Sequence, residues 1–300
     1  MTLVASRFHD GELLVQRRAG VTADAARLAG MLAHPDPGGR WGAFFAERRF
    51  AVLTARGADG RLWLAPLLGP AGFLRAQDGA LAVNARPPAA GPLAFMAAGQ
   101  DVGLIAVEFS TARRMRLNGR LSHVDPSGLL IEAEQVFGNC PAHIHKRSLT
   151  VAADASTESP AAVVAAEFSA EQWALIERSD TFFLGTVHPE HGADASHKGG
   201  QPGFVRVEPG ELWWPDLVGN NMFNSLGNLA VNDEAALLFL DLTAGQALHV
   251  CGHAGLDWVR RGSPGDDDGT GRRVRFQVDR IVQHALPLWA SDAGDGESDG

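Results

Sequence analysis

Two short polar stretches in the second half of the chain carry the side chains best suited to binding a ligand. They contain Ser196, His197, Lys198 and Gly199, and then Asn220, Asn221, Asn224, Ser225 and Asn228. Hydroxyl, amide and ammonium groups beside the start of a predicted helix can bind a phosphate or the polar edge of a ring. Any one Asn or Ser could instead cap a helix or fill a turn. Taken together, the two stretches indicate a ligand site.

A repeated phrase shows how these stretches fit into the chain. GGQPGFVRV at 199–207 matches LGPAGFLRA at 68–76, so that Phe73 aligns with Phe204 at a shift of 131 residues. At a shift of 133, Ile105 aligns with Leu238 and Gly119 with Gly252. One register over so long a stretch predicts two copies of a β-rich unit. Two unrelated β domains that share a turn would explain only the short phrase.

The two copies differ where the polar stretches lie. Ser196-His197-Lys198-Gly199 aligns with Ala65-Pro66-Leu67-Leu68. The stretch 220–228 aligns with 87–95, which is apolar or small at most positions. We therefore expect only the second copy to have kept a ligand site.

The coarse pattern predicts a mainly β protein with flanking helices, an α+β fold. Strands are expected on both sides of the turn at 58–60 and at 80–84, 102–109, 114–122 and 128–138, with a short helix over 91–99. The predicted boundaries are 1–149 for the N-terminal helices and first unit, 150–160 for a linker and 161–290 for the second unit. Residues 291–300 are expected to form a disordered acidic tail.

Composition excludes several classes of function. The chain has 300 residues, a net charge of −9 and 45% hydrophobic residues, which is globular and disfavours general nucleic-acid binding. The two cysteines cannot form a disulfide framework, and no apolar run is long enough for a membrane span. The N-terminus lacks the pattern of a signal peptide, so a cytoplasmic protein is expected. The chain contains no Tyr, which excludes a phenol from any mechanism.

The run from Ala195 to Leu242 resembles the split-barrel flavin-binding proteins related to pyridoxamine phosphate oxidase. The motifs are a Ser-x-Lys-Gly turn at 196–199, Pro-Gly-Phe at 202–204 and Gly-Asn followed by Ser-Leu-x-Asn-Leu at 219–229. FHDGELLVQRRAGV near the N-terminus and QVFGNCPAHIHKR at 135–147 are similar to a branch with tandem barrels. The resemblance implies two tandem split β-barrels forming a pseudo-dimer, as a monomer or a homodimer. It also implies FMN in a groove between the barrels.

One position departs from that family. Many relatives carry Arg after the Asn of the Gly-Asn motif, whereas Asn221 and Met222 stand here. The charge for a phosphate must then come from other residues. The candidates are Lys198, Lys146, Arg147, Arg114 and Arg116.

The resemblance implies an FMN-dependent oxidoreductase acting on a small organic substrate. His197 is the first candidate for a general acid, because an imidazole can titrate near neutral pH. The alternative is a non-catalytic flavin- or haem-binding or interaction protein on the same duplicated barrel, and a deazaflavin is a further variant. No metal site is expected, because Cys140, His143 and His145 match no familiar zinc spacing, and neither do His188 and His191.

Overall fold

A computed structural model describes residues 7–32, 35–138, 142–151 and 161–292. Within these ranges the α-helices are α1 (Asp10–Ala19), α2 (Thr22–Leu28), α3 (Gly42–Ala46), α4 (Ala170–Arg178) and α5 (Asn224–Leu229). Short 3₁₀ turns cover Ala29–Leu32 and Gly39–Trp41. Cys140 and most of the predicted linker and acidic tail lie outside the described residues.

The first half of the chain forms a seven-stranded antiparallel sheet. Its strands are β1 (Phe50–Arg56), β2 (Leu62–Leu68), β3 (Leu74–Gln77), β4 (Ala80–Val83), β5 (Gln100–Glu108), β6 (Arg113–Asp125) and β7 (Gly128–Gly138). They pair in the order β2-β1-β5-β6-β7-β4-β3. After this sheet comes β8 (Arg147–Val151), which pairs only with the last strand of the chain, β17 (Leu288–Asp292).

The second half repeats that sheet. After β9 (Val163–Ala165) come β10 (Thr181–His188), β11 (Gly192–Gly199), β12 (Arg206–Glu208), β13 (Glu211–Pro215), β14 (Glu234–Asp241), β15 (Gln246–Trp258) and β16 (Arg272–Ala285). The order β11-β10-β14-β15-β16-β13-β12 is that of the first sheet, strand for strand, and β9 adds to β16 at the side.

The pairing registers agree with the alignment made from sequence. Val52 faces Pro66 across β1 and β2, and Phe183 faces His197 across β10 and β11, so both pairs are displaced by the same 131 residues. The predicted fold class, mainly β with two repeated units and flanking helices, is confirmed. The domain boundaries stay a prediction.

Each sheet encloses its own core, and a third core lies between them. All seven strands of the first sheet contribute to one buried cluster, which requires the sheet to curl around it. A second cluster fills the other sheet. The third joins Val52, Leu64 and Ile105 of the first half to Phe183 and Leu238 of the second. The two halves therefore pack against each other through an apolar cluster, as an intrachain pseudo-dimer.

Three details of the sequence-based assignment are corrected. Residues 91–99 form turns instead of the predicted helix, because Pro88, Gly91 and Pro92 interrupt the chain there. The sequence pattern predicts separate strands at 247–255 and 255–261, but residues 246–258 form one strand, β15. An unpredicted helix, α1, begins at a capping box between His9 and Glu12.

Helix α1 belongs to the first half of the sequence but packs against α5 of the second half. A Cβ added to Gly11 would lie 2.1 Å from the carbonyl oxygen of Gly227, so α1 and α5 touch backbone to backbone. The N-terminal helix thus positions the element that carries Asn224 and Ser225. None of the helices in the described ranges is both long and apolar enough to span a membrane.

Candidate ligand site between the two sheets

A pocket opens where β6 of the first sheet meets β11 and the 214–226 segment of the second. Its enclosed space is about 120 Å³, and the wider groove, including open solvent, reaches about 870 Å³. Trp214 and Phe204 supply apolar wall, while Arg114, Arg116 and Lys198 bring positive charge. Trp214 is buried and Trp213 half-buried, as expected for neighbours on opposite faces of a strand.

Nine of the thirteen residues predicted from sequence line this pocket. They are Arg114, Arg116, His197, Lys198, Gly199, Asn220, Asn221, Asn224 and Ser225. The structure brings these together from β6, from β11 and from the loop and first residues of α5.

The other four lie outside the pocket lining. Ser196 is buried and donates to the Leu184 carbonyl oxygen at 3.4 Å. Asn228 donates to Thr186 Oγ1 at 3.0 Å inside the second unit. Lys146 is exposed, and Arg147 pairs with Asp180 at 2.5 Å. Each of these residues therefore has a structural or surface position in place of the predicted contact with a cofactor.

Asp194 is the polar centre beneath the pocket. Its side chain is 2% exposed, and both carboxylate oxygens lie 3.0 Å from Arg116 Nη1. Ser225 Oγ donates to Oδ2 at 2.6 Å, and Asn118 Nδ2 approaches Oδ1 at 3.4 Å. The carboxylate thus ties β6 of one half to β11 and α5 of the other. Its charge also offsets that of Arg116.

The polar residues of α5 are used within the protein. Asn224 Nδ2 donates to Glu12 Oε1 at 2.6 Å, as Ser225 does to Asp194. Burial raises the pKa of Glu12 to about 8, and the charge of Asp194 adds to the effect. Helix α5 has only six residues, and the side chains of its first two residues bond to carboxylates of the protein itself. Asn224 and Ser225 shape the pocket wall.

His197 stands in a buried and positively charged setting. Arg114 Nη1 donates to His197 Nδ1 at 2.8 Å, which places the ring proton on Nε2. Burial keeps the pKa of His197 well below its ordinary value, and the charges of Arg114 and Arg147 add to this. The expectation that His197 titrates near neutral pH is therefore wrong, and the ring is a neutral hydrogen-bond donor.

Lys198 follows His197 on β11, and both residues line the pocket. Burial lowers the pKa of its ammonium, Asp216 opposes that shift, and Arg116 reinforces it. Asp216 is itself paired with Arg272 at 2.8 Å. Among the described residues, no hydrogen bond or ion pair to the Lys198 ammonium forms. This cation is available for an anionic ligand.

A loop closes the pocket on the other side. Asn221 and Phe223 both adopt left-handed backbone angles, with φ of 60° and 64°. Met222 between them is fully buried, and Gln16 of α1 donates to its carbonyl oxygen at 3.1 Å. His143 Nε2, from the first half, donates to the Val218 carbonyl oxygen at 3.1 Å. The loop is therefore held from both halves of the chain.

The equivalent position on the other side of the pseudo-twofold axis is filled. Trp63 takes the place of Asp194 and Leu67 that of Lys198, and both are buried in the first core. Ala247 and His249 correspond to Arg114 and Arg116. The cations that define the first pocket are absent from these equivalent positions.

The residues that sequence reasoning missed include Asp194, Glu12 and His143 as a loop contact. The sequence does contain a signal for Asp194. It is the one acidic residue in the strand segment GADASHKG, whose other residues are uncharged or basic. A charge inside a buried strand needs a partner. Glu12 gave no such signal, because its partner lies 212 residues away.

No protein-family model matches the sequence, and neither does any curated protein. Solved structures with a similar fold include a putative pyridoxamine 5'-phosphate oxidase from Lactobacillus delbrueckii, at 15% identity and a TM-score of 0.32 over 39% of this chain and 94% of that chain. The heme storage protein HutZ from Vibrio cholerae has 15% identity and a TM-score of 0.30, over 39% and 94% of the two chains. An FAD-binding protein from Mycobacterium smegmatis has 16% identity and a TM-score of 0.28, over 42% and 99%. These likenesses concern the fold of one half of this chain at a time.

The lining residues fit the anionic end of a phosphate-bearing ligand. Lys198 has no anionic partner among the described residues, and Arg114 reaches the same pocket from the other half. The enclosed space is smaller than the roughly 300–1,000 Å³ typical of small-molecule pockets. A flavin would therefore also need space in the open groove.

Proposed function

We propose that the chain binds FMN in this pocket and acts as a flavin-dependent oxidoreductase on a small organic substrate. The observation that carries the proposal is the convergence of Lys198 and Arg114, from opposite halves, on one pocket. Lys198 and Arg114 would hold the phosphate, and Trp214 would supply apolar wall. The flavin, when bound, supplies hydride or electron transfer. The proposal includes a cytoplasmic location and a monomeric or homodimeric chain.

The chain's own residues contribute orientation and charge. Arg114 fixes the tautomer of His197, so that Nε2–H is directed as a donor. His197 Nε2 is buried and has no hydrogen-bond partner among the described residues. A buried donor without a partner is unusual in a folded protein, so His197 Nε2 marks a polar atom whose partner the described residues do not supply.

The absorption spectrum of the purified protein tests this function. A flavin spectrum, with free FMN in the supernatant after denaturation, is the expected result. A colourless protein that also takes up no added FMN would contradict it. A sharp haem band would keep the fold and replace the chemistry.

A non-catalytic binder of flavin or haem is the second candidate. One observation favours it: His197, the residue expected to serve as general acid, is neutral and buried. Turnover of reduced nicotinamide by the flavin-loaded protein separates the two candidates. Flavin bound without any turnover would favour the binder.

A further inference from the structure

Two buried histidines outside the proposed flavin pocket meet nitrogen to nitrogen. His249 on β15 and His284 on β16 are 0% and 3% exposed, and their Nε2 atoms lie 2.9 Å apart. The rings are inclined by only 26°, with centroids 4.9 Å apart, so they meet edge to edge. His249 occupies the position in the second sheet that Arg116 occupies in the first.

Two neutral imidazole rings carry two N–H groups, but the ring nitrogens of this pair make three close contacts. His249 Nδ1 lies 2.7 Å from the Leu64 carbonyl oxygen, and His284 Nδ1 lies 2.8 Å from the Ala285 carbonyl oxygen. A carbonyl oxygen only accepts, so each Nδ1 carries its ring's proton when the ring is neutral. Both Nε2 atoms then direct lone pairs at each other across 2.9 Å. A cation between them would turn that repulsion into binding.

We propose that His249 and His284 form a buried binding site for a transition-metal cation, with their two Nε2 atoms as ligands. A metal-bound histidine typically donates its other ring N–H to a carbonyl or carboxylate, and both of these rings do so. Neutral imidazole is a common ligand of copper and zinc. The two ligands stand on adjacent, paired strands, where Ala247 faces His284, so the site is rigid.

Copper(I) is the ion that the surroundings favour. In the described parts of the chain, no third histidine, cysteine or carboxylate comes close enough to complete a cluster with this pair. An ion with a single charge and a low coordination number suits two neutral ligands in a dry core. A metal–nitrogen distance of about 2 Å requires the two nitrogens to lie about 4 Å apart, so binding must separate the rings by about 1 Å from the 2.9 Å seen here.

The chain's other histidine cluster does not meet the same requirement. His9, Asp10 and His188 approach one another closely enough to suggest a metal site. His188 Nδ1, however, accepts from the backbone N–H groups of Glu190 and His191 at 3.0 and 3.1 Å. Its proton therefore lies on Nε2, which faces Asp10 Oδ1 at 3.0 Å, and that nitrogen has no lone pair for a metal.

Copper transfer to the intact chain tests the site. Cu⁺ is supplied anaerobically as the complex of a coloured chelator, and the loss of colour is measured. We expect one equivalent of Cu⁺ per chain, removed in both His249→Gln and His284→Gln. The control is His123→Gln, because His123 is an exposed residue bound to Asp125 and should leave uptake unchanged. X-ray absorption at the copper edge should show two nitrogen ligands.

Two outcomes would overturn the proposal, and both are measured on the unmodified chain, so neither depends on whether a variant folds. One is the absence of Cu⁺ uptake by the unmodified chain. The other is a ¹⁵N NMR spectrum of the metal-free chain, unchanged by copper, in which three of the four ring nitrogens carry protons. That pattern would show a shared proton in the metal's place. Neither result depends on whether flavin binds at the pocket lined by Lys198.

Discussion

Arg116 Nη1 lies 3.0 Å from both carboxylate oxygens of Asp194, and this buried pair joins the two halves of the chain. The side chains are 8% and 2% exposed. Breaking such a pair from one side leaves a charge that neither water nor protein solvates. The pair therefore connects the stability of the interface to the shape of the pocket above it.

Replacing Asp194 with Asn should destabilise the whole chain. Arg116 would lose the carboxylate that it contacts at 3.0 Å, at a cost of about 3–5 kcal/mol in the free energy of unfolding. Urea unfolding followed by fluorescence measures the change. Asp24→Asn is the matched control, because the exposed Asp24–Arg27 pair contributes at most about 1 kcal/mol. A loss no larger than that of the control would show that Arg116 is solvated in another way.

Replacing Lys198 with Ala should weaken FMN binding. A hydrogen bond to a charged group contributes about 1.5–3 kcal/mol, and each 1.4 kcal/mol is tenfold in Kd. Fluorescence titration with FMN should therefore give a Kd about 10- to 100-fold higher. Lys146→Ala, the chain's other lysine, is exposed and outside the pocket, so it should leave the Kd unchanged. Equal effects of the two substitutions would remove Lys198 from the site.

The duplicated fold should bind one flavin per chain and not two. Trp63 and Leu67 stand at the places that correspond to Asp194 and Lys198, so the second position lacks the counterpart of the Lys198 ammonium. Released flavin measured against protein by quantitative amino-acid analysis should saturate at one equivalent. Two equivalents would mean that the filled position opens in solution.

Stability should fall with rising pH through the titration of Glu12. Its folded pKa, about 8, lies above the ordinary value of 4.5 because the carboxyl group is buried. A raised carboxyl pKa means that the folded state holds the proton more tightly. The contribution is full below about pH 4.5 and is lost as pH rises through 8.

Glu12→Gln isolates this effect. Gln keeps the hydrogen-bonding shape without the titration, so the variant's unfolding free energy should depend less on pH between 5 and 8 than that of the unmodified chain. Chemical denaturation at a series of pH values gives both curves. Parallel curves would show that Glu12 does not carry the pH dependence.

The sequence by itself determined the repeat and identified nine of the residues that line the pocket. Alternation of apolar residues predicts strands, and Phe73 and Phe204 gave the correct register between the copies, because each copy must bury the same face. Polar residues in only one copy marked the pocket. The nine predicted residues that line it meet because β11, the loop before α5 and the start of α5 pack against β6 of the first sheet.

Tertiary structure alone decided which charges are available. Whether Arg116 or Lys198 has a carboxylate beside it depends on Asp194 and Asp216, and these approach through folding and not through spacing along the chain. Burial likewise set the protonation of His197 and Glu12, because the cost of a charge depends on the solvent around it. The pairing of His249 with His284 arises only when β15 and β16 align, since the two residues lie 35 positions apart.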